Sequence, residues 1–181
     1  MKKNQLTRSL PTILYATISA LWRLIPHWPN FTPFTALALY SGSRERSWSG
    51  LLAPLIPLAL TDLFFGWHAT IPFTYGGMVI ITLLGRLVKS EDKLHLALIT
   101  LTSSAVFFIV SNLGAWLLGG LYPHTLSGLI STFVSAVPFY QNALAGDLAF
   151  TILFWGCPAL IKRLSRCSQT SPANAGPSKL T

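Results

Sequence analysis

The chain contains few charged side chains. Asp, Glu, Lys and Arg make up 10% of its 181 residues, compared with roughly 25% in soluble domains. Hydrophobic residues make up 51%, and the mean hydropathy is +0.53. Asp62 is the only charged residue in 47–85, and Asp147 is the only one in 94–161. Because a full charge is costly in hydrocarbon, this pattern is typical of a polytopic membrane protein and leaves no room for a separate soluble domain.

Cysteine and catalytic motifs are equally scarce. Cys157 lies in an apolar run and Cys167 in a basic tail, so we expect neither a disulfide framework nor a metal site. The sequence has no Gly-rich phosphate loop, Walker pattern or His-Glu-x-x-His. Ser103 and Ser104 have no histidine at their depth, and such serines more often bond a carbonyl one turn back or allow close helix packing. We therefore expect no enzyme, no cofactor and no hydrolysis of nucleotide.

The apolar stretches predict an all-α fold with about six transmembrane helices. The second stretch is short for a full crossing. We expect Pro138 to break the last apolar tract into a short outer segment, 125–136, and a sixth span. The transmembrane domain covers 1–164, and the Ser-, Pro- and Asn-rich remainder, 165–181, is predicted to be a disordered cytoplasmic tail. The predicted spans are 9–25, 33–43, 48–65, 72–87, 94–118 and 138–161.

The net charge of +8 comes from short clusters of Lys and Arg. These clusters separate apolar spans instead of lining one face, so we expect no nucleic-acid binding. Because cytoplasmic loops collect positive charge, both termini are predicted to be cytoplasmic. With six spans, the clusters at 2–8, 44–46, 86–93 and 162–166 fall on one side of the membrane, while the loops 25–32, 66–71 and 119–124 hold neither Lys nor Arg.

Polar residues from at least four spans converge in the outer half of the membrane. Unpaired polar groups at that depth are costly, so they must meet each other, water or a ligand. They predict a polar cavity that is closed below, open to the outside and capped by the loop 25–32. Asp147 follows two small residues that leave room beside it. The candidate substrate-binding residues are Arg23, His27, Asn30, Asp62, His68, Asn112, Asn142 and Asp147.

Other interpretations of these residues stay open. In a structural network, Arg23 would pair with Asp62 or Asp147, and the asparagines would join helices by hydrogen bonds. In a self-sufficient carrier or channel, one of the two aspartates would take a proton or Na⁺. Histidines in three separate outer loops (27, 68 and 124) lack metal-ligand spacing, so we interpret them as loop caps or donors at the rim of the cavity.

Several strings resemble those of a family of small bacterial membrane proteins of unknown function. The family is in turn similar to the substrate-binding (S) components of energy-coupling-factor (ECF) vitamin transporters, in size, in its six spans and in an outward pocket. The resemblance covers most of the chain as far as Ile161. The strings are PHWPNFTP at 26–33, TDLFFGWH at 61–68, YPHT at 122–125, PFYQN at 138–142 and GDL at 146–148.

The resemblance implies a function and a partner. In S components, a small-residue motif on the first helix contacts a transmembrane coupling subunit, and the first loop covers the ligand. It implies that Ala16 and Ala20 contact such a subunit and that 25–32 forms the lid. We expect a multi-pass protein of the bacterial inner (cytoplasmic) membrane that captures a small polar micronutrient, a vitamin or nucleobase-like compound, from the outer face and works with ECF-type ATPases. No substrate-specific motif identifies the ligand.

Overall fold

The computed structural model describes residues 2–89 and 92–169, with side chains for 9–89 and 92–161. These residues form six α-helices and no strand, which confirms the all-α class and the number of helices. Short loops connect helices that pack against their neighbours in the chain, as expected for a bundle. The helices are α1 (Lys2–Leu24), α2 (Phe34–Arg44), α3 (Trp48–Phe65), α4 (Ile71–Gly85), α5 (Lys93–Leu118) and α6 (Leu126–Gln169).

The two ends of the bundle differ in charge. The loops 25–33, 66–70 and 119–125 meet at one end and contain no Lys, Arg, Asp or Glu; we call this the uncharged end. The loops 45–47 and 86–92 meet at the other, the basic end. The Lys and Arg residues described at the basic end are Arg44, Arg46, Arg86, Lys89 and Lys93.

Helix α2 lies at the centre of the bundle and contacts all five other helices. Its residues 34–42 are all buried, and Ala36, Leu37, Ala38 and Leu39 are completely inaccessible. A helix that is apolar or small on every face is expected to lie inside a bundle instead of on its surface. Two apolar clusters pack around α2, one against α1 and α6 and the other against α3 and α4.

Helices α2 and α4 approach each other so closely that only glycine fits at two points of contact. A Cβ atom on Gly42 would overlap the carbonyl oxygen of Thr82, and one on Gly85 would overlap the carbonyl oxygen of Leu39. The absence of side chains at these positions lets the two backbones touch, and this contact fixes the depth of α2 in the bundle.

Within the described residues, three helices are long and apolar enough to cross a membrane: α3, α5 and the part of α6 up to Ile161. Helix α4 is apolar but has 15 residues, and α2 has 11. At 1.5 Å per residue α2 is about 16 Å long, roughly half the thickness of a bilayer's hydrocarbon core. Six full crossings therefore stay a prediction.

Helix α6 is a single helix of 44 residues. It continues through Pro138, so the predicted division of this tract into an outer segment and a sixth span is wrong. A proline removes one backbone hydrogen bond, which a long helix packed against neighbours tolerates. The helix extends to Gln169, past residue 165 where the tail was expected to begin, and residues 170–181 of that tail lie outside the described residues.

We expect Gly42→Ala to destabilise the protein by about 1–3 kcal/mol, because the added methyl group must push α2 and α4 apart. Gly76→Ala is the matched control on α4, since a Cβ atom there meets nothing within 4 Å. It should be neutral or slightly stabilising, because alanine favours a helix. Thermal unfolding of the two purified variants in detergent distinguishes them. Equal melting temperatures would contradict the close approach described here.

Candidate binding cavity

A cavity of about 390 Å³ lies at the uncharged end of the bundle. All six helices and the loops after α1 and α3 contribute side chains to it. Asn30 and His68, which come from those loops, are exposed, so the cavity reaches the surface at this end. The lining residues are Arg23, Asn30, Thr32, Phe34, Thr35, Leu58, His68, Thr74, Met78, Ser104, Phe107, Phe108, Ser111, Asn112, Ala115, Ala136, Phe139, Tyr140, Ala143 and Asp147.

Two helical stripes form one wall of the cavity. On α5 the lining residues fall at steps of three and four from Ser104 to Ala115, and on α6 they do so from Ala136 to Asp147. This is the spacing of one face of an α-helix. Phe108 packs against Tyr140 across the two helices, with ring centroids 4.6 Å apart. The wall is therefore aromatic, with hydroxyl, amide and carboxylate groups between the rings.

Arg23 and Asp62 form an ion pair beside the cavity. Arg23 Nη1 lies 2.6 Å from Asp62 Oδ1, and it also donates to Thr61 Oγ1 at 2.6 Å and to the Leu58 carbonyl at 3.3 Å. Only 1% of the Asp62 side chain is exposed, against 24% of Arg23. Of the two pairings that the sequence left open for Arg23, the structure forms the one with Asp62.

Tyr75 completes this pair from α4. Its hydroxyl donates to Asp62 Oδ2 at 2.8 Å, so each carboxylate oxygen of Asp62 has a partner. Asp62 does not line the cavity; it holds Arg23, which does. Sequence analysis missed Tyr75, although it lies with Met78 and Thr74 near the start of α4. The signal that could have revealed Tyr75 is its position at the same depth in the bundle as the buried Asp62.

Asp147 has no ion-pair partner in the described part of the chain. It lines the cavity with only 4% of its surface exposed, and no Lys, Arg or His side chain in the described part of the chain lies within 4.0 Å of its carboxylate. The hydroxyls of Ser104 and Thr35 face it. Ser104 Oγ nevertheless has no partner at hydrogen-bonding distance. The predicted room beside Asp147 is present.

Asn30, His68 and Asn112 also line the cavity as predicted. Asn112 Nδ2 donates to the Phe108 carbonyl one turn back at 2.7 Å, which leaves its other amide atom for the cavity. His68 Nδ1 lies 2.8 Å from Thr70 Oγ1 in the loop before α4. Asn30 has a φ of 63°, a left-handed conformation that asparagine tolerates in turns.

His27 and Asn142 are not among the lining residues. His27 lies in a separate groove of about 520 Å³ on the outside of the 25–33 loop, where Nδ1 contacts the Ile25 carbonyl at 2.7 Å. Asn142 is five residues before Asp147, or about 140° around the helix from it. The sequence placed these two residues at the right depth but could not give the face of the helix or loop.

Ala16 and Ala20 lie in a third, apolar groove of about 530 Å³ between α1 and α3. Ala16 also packs against the core cluster around Tyr15 and Phe154. The groove runs along the outside of the bundle, so the small residues of α1 are open on this side.

Several cavity residues were not predicted as a site, among them Thr35, Ser104, Ser111 and the aromatic rings of α5 and α6. Neither Ser103 nor Ser104 bonds a carbonyl one turn back, which was one of the two roles expected for them, and both are buried, as the other role, close helix packing, requires. Stepping back from Asn112 by four residues at a time would have found Phe108 and Ser104. In the described part of the chain, no three His, Cys, Asp or Glu side chains are close enough to hold a metal ion.

The fold and cavity define a class: an all-helical bundle that has helices long and apolar enough to cross a membrane and a partly polar cavity at its uncharged end. The chain belongs to a family of unknown function, DUF6580, whose profile matches residues 3–170. No curated protein and no solved structure matches it. The predicted membership of an uncharacterised family is therefore confirmed, and the resemblance to ECF S components stays a prediction.

We expect the Arg23–Asp62 pair to show a coupling free energy of about 1–3 kcal/mol in a double-mutant cycle. Asp62→Asn alone should cost more stability than Arg23→Gln plus Asp62→Asn together, because the single change leaves Arg23 without its counter-charge. Tyr75→Phe, which removes one hydrogen bond, should cost about 1 kcal/mol. Denaturant or thermal unfolding in detergent measures the stability of the wild type, both single variants, the double variant and Tyr75→Phe. Strict additivity of the two single changes would show that the ion pair contributes nothing.

Proposed function

We propose that the protein is a membrane-embedded substrate-binding component for uptake of a small polar micronutrient, a vitamin or nucleobase-like compound, from the outer face of the bacterial inner membrane. The observation that carries the proposal is the single cavity shared by five predicted polar residues from separate elements. Its volume, about 390 Å³, falls in the range of about 300–1,000 Å³ that is typical of small-molecule sites. The five residues are Arg23, Asn30, His68, Asn112 and Asp147.

The surface of the bundle supports placement in a membrane. On α3 the side chains of Leu52, Ile56, Leu60 and Leu63 are exposed one turn after another, and similar apolar side chains are exposed on α1, α4, α5 and α6. Large exposed apolar patches are unfavourable in water and are expected where a surface meets lipid. In the proposed topology six helices cross, the basic end is cytoplasmic and the cavity opens outward.

The interior of the bundle supports a receptor more than a purely structural network. A network that only joined helices would pair its buried polar groups with one another. Here the Arg23–Asp62 pair meets that expectation, whereas Asp147 and Ser104 are buried beside open space without an ion-pair or hydrogen-bond partner, respectively. Buried polar atoms of this kind are expected where a ligand supplies the missing partner.

An external energy source fits the proposed role. The sequence contains no nucleotide-hydrolysis motif. The apolar groove between α1 and α3 offers Ala16 and Ala20 to a helix of another protein, and small residues allow such helices to approach closely. We propose that this groove contacts the transmembrane coupling subunit of an ECF-type module, whose ATPases drive release of the substrate.

Native mass spectrometry of the protein purified in mild detergent should show a copurified small molecule. Asn112→Ala should reduce this adduct about fivefold to tenfold, because a hydrogen bond in the cavity is worth about 1 kcal/mol or slightly more. Asn142→Ala is the matched control, since Asn142 lies outside the cavity. A wild-type protein with no adduct, in cells grown on rich medium, would favour the structural alternative.

Ala20→Trp should abolish copurification with a coexpressed ECF coupling subunit and leave the small-molecule adduct unchanged, because the indole fills the groove, which shares no lining residue with the cavity. Leu21→Trp is the control on the adjacent, exposed position that does not line the groove. Pull-down of the coupling subunit by tagged variants measures the effect. Uptake in cells that lack the ATPases, and its loss on adding a protonophore, would instead identify an ion-coupled carrier.

A further inference from the structure

We propose that the ligand of the cavity is a small organic cation, with its positively charged nitrogen beside Asp147 and its apolar or aromatic part against the wall formed by α5 and α6. This inference rests on the function proposed above and adds the chemical class of the substrate. It comes from the balance of charge around the cavity, from the rings in its wall and from the small number of metal-binding side chains.

The first step is that Arg23 already has a counter-charge, which is Asp62. Its Nη1 is shared by Asp62, Thr61 and the Leu58 carbonyl at distances of 2.6 to 3.3 Å. The guanidinium carbon also lies 5.6 Å from the centre of the Phe65 ring. The Asp62 carboxylate, which also accepts a hydrogen bond from Tyr75, therefore balances the charge of Arg23 without a ligand.

The second step is that no positively charged side chain in the described part of the chain pairs with Asp147. The nearby donors are the hydroxyls of Ser104 and Thr35. The beginning of α2 is also close, since Phe34 and Thr35 line the same cavity. A helix N-terminus carries at most about half a positive charge, so it offsets Asp147 only in part. His68, the histidine in the lining, lies in an exposed loop at the mouth. When Asp147 is ionised, the interior of the cavity is therefore negative.

The third step concerns the wall. Phe107, Phe108, Phe139 and Tyr140 line the cavity on the side of α5 and α6, and Phe34 lines it from α2. The faces of aromatic rings attract cations, most strongly where water is excluded. A carboxylate among such rings favours an ammonium, amidinium or heteroaromatic cation over a carboxylate or phosphate ligand, which Asp147 would repel.

An inorganic divalent ion fits these residues poorly. Calcium takes six to eight oxygen ligands and magnesium an octahedral set, usually with more than one carboxylate. Asp147 is the only carboxylate in the lining, and no cluster of three Asp, Glu, His or Cys exists in the ranges whose side chains the structure describes. The aromatic rings would also leave most of such an ion's coordination shell empty.

The test uses the full-length protein in detergent and two sets of probes that are matched in shape and differ in charge. One set is 1-methylnicotinamide, nicotinamide and nicotinate; the other is benzylamine, benzyl alcohol and benzoate. Binding is measured by isothermal calorimetry and by the shift in melting temperature. In at least one set we expect the cation to bind about tenfold more tightly than its neutral counterpart, and the anion to bind more weakly still.

Asp147→Asn should reduce the preference for the cation to within about threefold, because it removes the charge and preserves the size of the side chain. Asp92→Asn is the matched control: it removes a carboxylate at the basic end, and asparagine still caps α5. If Asp147→Asn does not fold, Phe107→Leu takes its place. It should weaken binding of the cation about threefold and that of the neutral probe less, because only the cation depends on the face of the ring.

The outcomes separate this inference from the function on which it rests. Tighter binding of the neutral or anionic probes, or an unchanged preference in Asp147→Asn, overturns the inference and leaves a receptor of another specificity. If no probe binds, the copurified molecule is released by denaturation and its charge at pH 7 is measured by electrophoresis: a cation supports the inference, and a neutral or anionic compound overturns it. No probe binding and no copurified molecule overturn both proposals. Stabilisation by Na⁺ alone also overturns both and indicates an ion-coupled carrier.

Discussion

Helix α2 has only 11 residues and is buried along most of its length, and the cavity exists because of these two properties. At about 16 Å, α2 is much shorter than α3 and α5, which are long enough to cross a bilayer core of about 30 Å, so it cannot fill the bundle along their full length. The space above its first residue, Phe34, is shared by the 25–33 loop and the cavity. The contacts of Gly42 and Gly85 with the facing backbones hold α2 at this depth, so packing at one end of the helix preserves an open volume at the other.

The 25–33 loop is held by specific contacts around this space. Trp22 Nε1 donates to the Phe31 carbonyl at 2.8 Å, and the Phe31 ring lies 5.6 Å from that of Phe150 on α6. Gly146 has no side chain where the backbone of Phe31 and Thr32 crosses α6. The loop therefore enters the bundle immediately beside Asp147. A covering role for this loop, as the resemblance implies, would need it to leave and return, and the aromatic contacts set the cost of that movement.

The sequence was sufficient to predict the number of helices and how far along each helix the polar residues lie, because both follow from position along an apolar segment. It was not sufficient to predict which face of its helix each polar side chain lies on. Asn112 and Asp147 share the cavity because their stripes face each other, whereas Asn142 does not lie on the α6 stripe. The choice of Asp62 as the partner of Arg23 depends on how α1 and α3 pack, and no local pattern contains that information. At Pro138 the local sequence was misleading. Proline normally breaks a helix, but α6 continues through Pro138, where tertiary packing outweighs this local preference.

The two aspartates in the bundle interior differ in role: Asp62 contributes to the stability of the bundle, and we propose that Asp147 contributes to recognition of the ligand. Asp62 has an ion pair and a tyrosine hydroxyl, so its charge is compensated by the protein itself. Asp147 is almost as deeply buried, yet its compensation by the protein is limited to hydroxyl groups and the beginning of α2. A buried carboxylate that only stabilised the fold would be expected to have a cation beside it. Since Arg23 is paired with Asp62, a counter-charge for ionised Asp147 would come from outside the described chain, and we propose that it binds in the open volume beside Asp147.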